Sequence, residues 1–288
     1  MSVKTTIVYR RVDGLGLSMD LHGVRLEGRQ VRPGRRRPAL LWIHGGGWSE
    51  GDRTGLLPGF DRLGCVLASI DYRLFPVHRF PAMIEDVKAA IRFLRARAVD
   101  FGIDPDRIAL AGHSAGGHLA ALAALAGPEA GWEVGEDLGV SSAVAAVVTL
   151  SGFGDLMRPL PKGTASHLPL VFSAEEKEKG SPVRYASRGA PPFLIIHGEA
   201  DPVVPVEQAR ILREALVAHR AEAEMLLVRN AGHGFEAVGG RLSPGVLGIF
   251  ARTAFFLSGR LERGLPFRRF RVLGRILSLL LSLMRTKA

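Results

Sequence analysis

Arg107-Ile108-Ala109-Leu110-Ala111, then Gly112-His113-Ser114-Ala115-Gly116, then His118-Leu119-Ala120-Ala121-Leu122-Ala123-Ala124-Leu125 is the stretch that decides the reading of this chain. The first five residues have the pattern of a short buried strand, and the Ala/Leu-rich segment has high intrinsic helix propensity. Between them stands a G-x-S-x-G pentad. Glycines two before and two after Ser114 let neighbouring backbones press together in a tight strand-to-helix turn, and that turn lifts the serine hydroxyl clear of the sheet. A glycine-rich joint of this kind can also be a mere packing device, so the remainder of the chain must supply partners for an exposed serine.

A free serine hydroxyl is a poor nucleophile near neutral pH and needs an imidazole to take its proton. The imidazole in turn needs a carboxylate on its other nitrogen, to fix the tautomer and stabilise the imidazolium. In a strand-to-helix turn of this type the acid follows in the chain and the histidine comes last. Pro191-Pro192-Phe193-Leu194-Ile195-Ile196-His197-Gly198 reads as a central parallel strand, and Asp201 follows it, pushed out of helical geometry by Pro202. The next strand pattern, Ala223 to Val228, runs into Asn230-Ala231-Gly232-His233-Gly234-Phe235. His233 is the expected base and Asp201 the expected acid. Asp155, in Ser151-Gly152-Phe153-Gly154-Asp155, also follows a strand pattern and is the rival acid.

Attack on a carbonyl creates an oxyanion, which needs preorganised N–H donors. The strand pattern Ala39-Leu40-Leu41-Trp42-Ile43 empties into His44-Gly45-Gly46-Gly47-Trp48. Its glycines expose backbone N–H groups, as the H-G-G-G loop of lipases and esterases does, and the residue after the nucleophile, Ala115, supplies another.

With these segments in hand, the chain resembles the alpha/beta hydrolases, in the esterase branch related to hormone-sensitive lipase and to bacterial feruloyl-esterase-like and arylformamidase-like enzymes. The residues that carry the resemblance are His44 to Trp48, Asp71-Tyr72-Arg73-Leu74, the segment from Phe80-Pro81-Ala82 through Asp86 to Phe93, and Asp104 to Ile108. Gly112 to Gly117, Ser181-Pro182, His197-Gly198 with Asp201 to Pro205, and Gly232 to Phe235 complete it. It covers roughly positions 35 to 258. The resemblance implies Ser114, Asp201 and His233 as a catalytic triad, with Gly46, Gly47 and Ala115 around the oxyanion.

The fold class expected is α/β, a doubly wound and mostly parallel sheet of alpha/beta hydrolase type with a short lid insertion. Apolar strands alternate with amphipathic helices from Pro38 onward, the pattern of a sheet covered on both faces. Residues of about 5 to 27 carry two strand-like segments around Asp13-Gly14, an edge hairpin. The helix from Ala82 to about Phe101 turns Val87, Ala90, Ile91 and Leu94 to the sheet and Lys88, Arg92 and Arg95 elsewhere. Roughly 153 to 190 is a long irregular stretch, and such stretches are often lids. Trp48, Phe153, Leu156 and Phe172, with Leu168 and Leu170, are candidates to line an acyl pocket. The expected division is a catalytic domain over 1–258 and a basic amphipathic tail over 259–288.

In 288 residues, 47% hydrophobic with a formal net charge of +10, there is a single cysteine. Cys65 lies in an apolar run and is expected as a small core residue, with no internal disulfide. The start lacks the apolar run of a secretory signal, from which a cytoplasmic location is expected. Arg32 to Pro38 is a basic surface loop, too short and too poor in aromatic residues for nucleic-acid binding. No phosphate loop, dinucleotide fingerprint or metal-ligand spacing occurs, so neither a cofactor nor a metal is expected. In the tail, Arg271, Arg275, Ser278, Ser282 and Arg285 form a narrow polar stripe on an otherwise apolar helix pattern. The run from Ile276 to Met284 is much shorter than the ~20 residues that span a bilayer. The stretch 267–285 therefore reads as a peripheral contact with an anionic membrane, with docking or dimerisation as the competing reading. The function expected is hydrolysis of small acyl or aryl esters by a serine carboxylesterase. An arylformamidase-like amide hydrolase is the alternative, and a catalytically silent membrane-associated binding protein on the same fold is a third.

Overall fold

The computed structural model describes residues 4–24, 36–56, 59–60, 63, 65–160 and 168–261. Its centre is one eight-stranded sheet. In chain order the elements are β1 (Lys4–Val12), β2 (Leu15–His22), β3 (Arg37–Ile43), β4 (Val66–Ile70), α1 (Ala82–Ala96), β5 (Ile103–His113), α2 (Ala115–Leu125) and β6 (Ala146–Leu150). There follow α3 (Leu168–Val171), α4 (Ala174–Lys179), β7 (Phe193–Gly198), α5 (Glu207–Ala218), β8 (Ala223–Val228) and α6 (Val246–Leu261). The strand order is β1-β2-β4-β3-β5-β6-β7-β8. Strands β1, β2 and β4 pair antiparallel, and every other pairing is parallel.

The central strands are apolar on both faces because both faces are covered. In β3, Ala39, Leu41 and Ile43 enter one core while Leu40 and Trp42 enter the other. Strand β7 divides the same way, Phe193 and Ile195 against Leu194 and Ile196. The first core takes in side chains of α1, α2 and α5, and the second takes in α6 with Phe60 and Leu63. The hairpin at the sheet edge turns through Asp13 and Gly14, both at positive φ, as a two-residue hairpin turn requires.

Several elements differ from the sequence expectation. Helix α1 stops at Ala96, where Arg97 takes over as the cap, and the chain to Gly102 is a series of turns. Strand β5 starts four residues before Arg107, because Ile103 pairs with Arg37 of β3. Lys88 and Arg92 of α1, expected off the sheet-facing side, are each only 1% exposed. The segment after α2 folds over them: Lys88 Nζ donates to Glu133 at 2.9 Å and to the Ala126 carbonyl at 2.8 Å, while Arg92 also pairs with Glu133. Cys65 is half-buried rather than a full core residue, and burial of its sulfur pushes the thiol up to about 12.

Within the stretch expected as a lid, Ser173 and Glu176 form a reciprocal capping box at the start of α4. Residues 161–167 and the Leu168 side chain, the basic loop residues 32–35, and the tail stretch 267–285 lie outside the described residues. Helix α6 runs to Leu261, three residues past the expected domain boundary, and the Leu261 carbonyl accepts from Arg107 at 3.1 Å. Among the described residues no helix is long and apolar enough to cross a membrane.

Candidate active site

The C-terminal ends of β3, β5, β7 and β8 lie along one edge of the sheet, with β6 between β5 and β7, and each of the four is followed by one of the segments singled out above. Loops at that edge of a parallel sheet are where ligands bind in open α/β folds. Ser114 joins β5 to α2 with φ 55° and ψ −121°, a strained backbone that a β-carbon tolerates poorly. The glycines around it make the turn possible. A methyl group on Gly116 would overlap the carbonyl groups of Ile43 and His44, and one on Gly112 would overlap the Gly116 carbonyl.

His233 reaches Ser114 across 119 residues of chain: its Nε2 lies 2.9 Å from Oγ. Its Nδ1 lies 2.8 Å from Asp201 Oδ2, so the ring stands between hydroxyl and carboxylate. With Nδ1 protonated toward Asp201, Nε2 is free to accept from the serine. Ser114 is 7% exposed, the Asp201 side chain is fully buried and that of His233 is partly exposed.

Asp201 is held by more than His233. Its Oδ1 accepts the backbone N–H groups of Val203 and Val204, each at 2.9 Å, the short-range turn that the following Pro202 favours. Its Oδ2 is 3.4 Å from Nε2 of buried His197, which also donates to the Val204 carbonyl at 2.8 Å. Burial alone would raise the carboxyl pKa, but the bonds from His197, His233 and Val204 outweigh it and hold the group well below the usual carboxylate range. The rival Asp155 is engaged elsewhere, accepting from Met157 N at 2.9 Å and from Ser181 Oγ at 3.3 Å.

The glycine loop after β3 passes directly over the serine: a methyl group on Gly45 would stand 3.3 Å from Ser114 Cβ. Gly46 and Gly47 have φ of 106° and 58°, and the Gly46 carbonyl is tied down by the N–H groups of Ser49 and Glu50, each at 3.0 Å. Ala115 opens α2, so its N–H is among those a helix leaves without an internal partner, at the positive end of the helix dipole.

Trp48, Phe153, Leu156 and Phe172 are brought together, all at most 3% exposed. The Trp48 ring meets Phe172 edge-on at 5.0 Å and lies 5.4 Å from Phe153. Leu170, in contrast, is exposed. Three further histidines hold these parts together. His118, fully buried on α2, donates from Nε2 to the Gly180 carbonyl at 2.7 Å and accepts from Trp48 Nε1 at 3.3 Å. Burial lowers its pKa to about 4. His113 donates to the His233 carbonyl at 2.8 Å, and His197 supports Asp201 as described. His113 stands in the pentad, His118 just after it and His197 in the His-Gly that closes β7, which was the available signal, but the partners of His113 and His118 lie 62 to 120 residues away. Among the described residues no group of His, Cys, Asp or Glu side chains is placed to hold a metal ion.

Comparison with known proteins gives a consistent picture. The BD-FAE family model matches residues 30–216, a span that includes the glycine loop, Ser114 and Asp201. Esterase LipC of Mycobacterium tuberculosis is 38% identical over 237 residues, which is 75% of this chain and 58% of LipC. The chain spans about half the length of the curated relatives it matches. Among solved structures, an esterase of Thermogutta terrifontis with propionate bound is 28% identical with a TM-score of 0.73, covering 91% of this chain and 97% of that one. The same esterase phosphonylated by sarin gives 28% and 0.75, covering 89% and 94%. The fold is that of these alpha/beta hydrolases.

Proposed function

This chain belongs to the BD-FAE family, and from that premise we propose that it is a serine carboxylesterase, cleaving small acyl or aryl esters through an acyl-enzyme. The observation that carries the reading is the unbroken relay Ser114 Oγ, His233 Nε2, His233 Nδ1, Asp201 Oδ2, with links of 2.9 and 2.8 Å, beside the Gly46–Gly47 loop and the start of α2.

In this mechanism Oγ of Ser114 attacks the ester carbonyl carbon as Nε2 of His233 takes the hydroxyl proton. The negative charge that develops on the carbonyl oxygen is met by backbone N–H groups of Gly46, Gly47 and Ala115, donors of a kind whose single removal typically costs about a hundred- to a thousandfold in turnover. His233 then hands its proton to the leaving oxygen, the carbon–oxygen bond breaks and the alcohol departs. Water attacks the acyl-serine, His233 takes a proton from it and returns it to Oγ, and the carboxylic acid is released. Asp201 stays ionised throughout and stabilises the imidazolium. No cofactor enters any step.

Trp48, Phe153, Leu156 and Phe172 back the acyl site as its apolar wall. Propionate and butyrate bound to the Thermogutta terrifontis esterase support a short acyl chain. Residues 267–285 are assigned to contact with an anionic membrane surface. Flotation with vesicles rich in anionic lipid should be lost on shortening the chain after Leu261, and equal flotation would discard that role in favour of docking on protein.

A panel of nitrophenyl acetate, butyrate and decanoate beside N-formylkynurenine tests the reading. Hydrolysis of the short esters, abolished in Ser114→Ala, is the expected result. Faster turnover of the formamide would move the assignment to an arylformamidase-like amidase, and no turnover of any member would favour a silent scaffold.

A further inference from the structure

His113 stands between Gly112 and Ser114, at the last position of β5, and the relay just described does not use it. Its Nε2 lies 2.8 Å from the carbonyl oxygen of His233. A carbonyl can only accept, so Nε2 carries the proton and the ring is a donor. The same ring packs on the His233 imidazole, with centroids 4.9 Å apart at 49°, and lies 6.3 Å from Phe235. On its other side the glycine loop presses in, since a methyl group on Gly45 would stand 3.2 Å from His113 Nδ1. Burial lowers its pKa, which keeps the ring neutral with a single N–H.

His233 is carried by a loop, and the loop is turned tightly on itself. The Gly232 N–H donates to the Glu236 carbonyl at 2.9 Å, and Phe235 has φ 63°. Those bonds shape the loop but do not register it against the serine. The His113 bond does, because it joins the residue adjoining the nucleophile to the backbone of the residue bearing the base. A base displaced by about 1 Å can cost a hundredfold in rate.

We propose that His113 is a positioning residue, which fixes the His233 imidazole over Ser114 by donating its Nε2–H to the His233 carbonyl. The position before the nucleophile must then hold a neutral donor of that reach. This inference rests on the reading of Ser114, His233 and Asp201 as a relay.

The test compares the full chain with His113→Leu, which fills the space without a donor, and His113→Gln, whose amide nitrogen can take the place of Nε2. Each is assayed for kcat and KM on nitrophenyl butyrate, for the rate of labelling by a fluorophosphonate and for melting temperature. His113→Leu should lose about ten- to a hundredfold in kcat and in labelling rate, with KM within about twofold of the parent. His113→Gln should recover most of that loss at a similar melting temperature. Should the Leu variant fail to fold, His113→Met serves the same comparison against Gln. A donor-free variant as fast as the parent, or a Gln variant as slow as Leu, overturns the inference while leaving the relay standing. A parent chain that neither turns over ester nor takes label at Ser114 overturns both.

Discussion

Lowering the pH should destabilise this protein through His118 in particular, and the effect can be sized. The ring is fully buried, its Nε2–H spent on the Gly180 carbonyl and its Nδ1 on the Trp48 indole N–H. Protonating Nδ1 would set donor against donor, in a site that also disfavours charge. Burial accordingly brings the group from 6.5 down to about 4. The unfolded chain therefore binds the proton first. Stability from this residue is fully present above about pH 6.5 and is lost as the pH falls toward about 4. At about 1.4 kcal/mol per pH unit the whole gap is worth about 3 kcal/mol, of which about 2 kcal/mol is gone between pH 7.5 and pH 5. Urea unfolding of the parent and of His118→Gln at those two pH values isolates the contribution of His118, because His44 and His113, whose pKa values burial also lowers, are present in both. The parent should lose about 2 kcal/mol more than the variant on acidification. Equal losses would mean that His118 is solvated or already charged in the folded protein.

Asp201→Asn should lower kcat on nitrophenyl butyrate by about 10⁴ with little change in KM, by removing the carboxylate that fixes the His233 tautomer. A loss under about tenfold would send the search for the acid to Asp155. Gly116→Ala should cost more than about 4 kcal/mol in urea unfolding or prevent folding, because the atoms in the way are the Ile43 and His44 carbonyl groups. Gly139→Ala, with nothing within 4 Å of the new methyl, should stay within about 0.5 kcal/mol of the parent. Glu133→Gln strands Lys88 and Arg92 in the interior and should lower stability by about 3–5 kcal/mol. Glu175→Gln, which breaks the fully exposed pair with Lys179, should leave the melting curve where it was.

The parts of the fold and site that could be read beforehand are those written in local grammar. Apolar runs ending in glycine mark β3, β5 and β7, and the residues after them, Gly46, Ser114 and Asp201, meet because a parallel sheet brings strand ends to one edge. What could not be read depends on who arrives from elsewhere in the chain. Lys88 and Arg92 have the spacing of a solvated helix face, and nothing local announces that Glu133 and the Val134 and Glu136 carbonyls will fold over them. His113 and His118 look like packing residues until their acceptors at His233 and Gly180 are placed. Trp48 follows the glycine loop and looks exposed to a ligand, yet its indole turns inward to His118, Phe153 and Phe172.

The relay itself is tested most directly by fluorophosphonate labelling followed by intact mass and peptide mapping, since the reagent reports on the serine's activation without any assumption about natural substrate. A working relay gives a single adduct on Ser114, absent from Ser114→Ala and formed far more slowly in His233→Ala. A parent chain that takes no label, or a Ser114→Ala chain that takes as much, would contradict it.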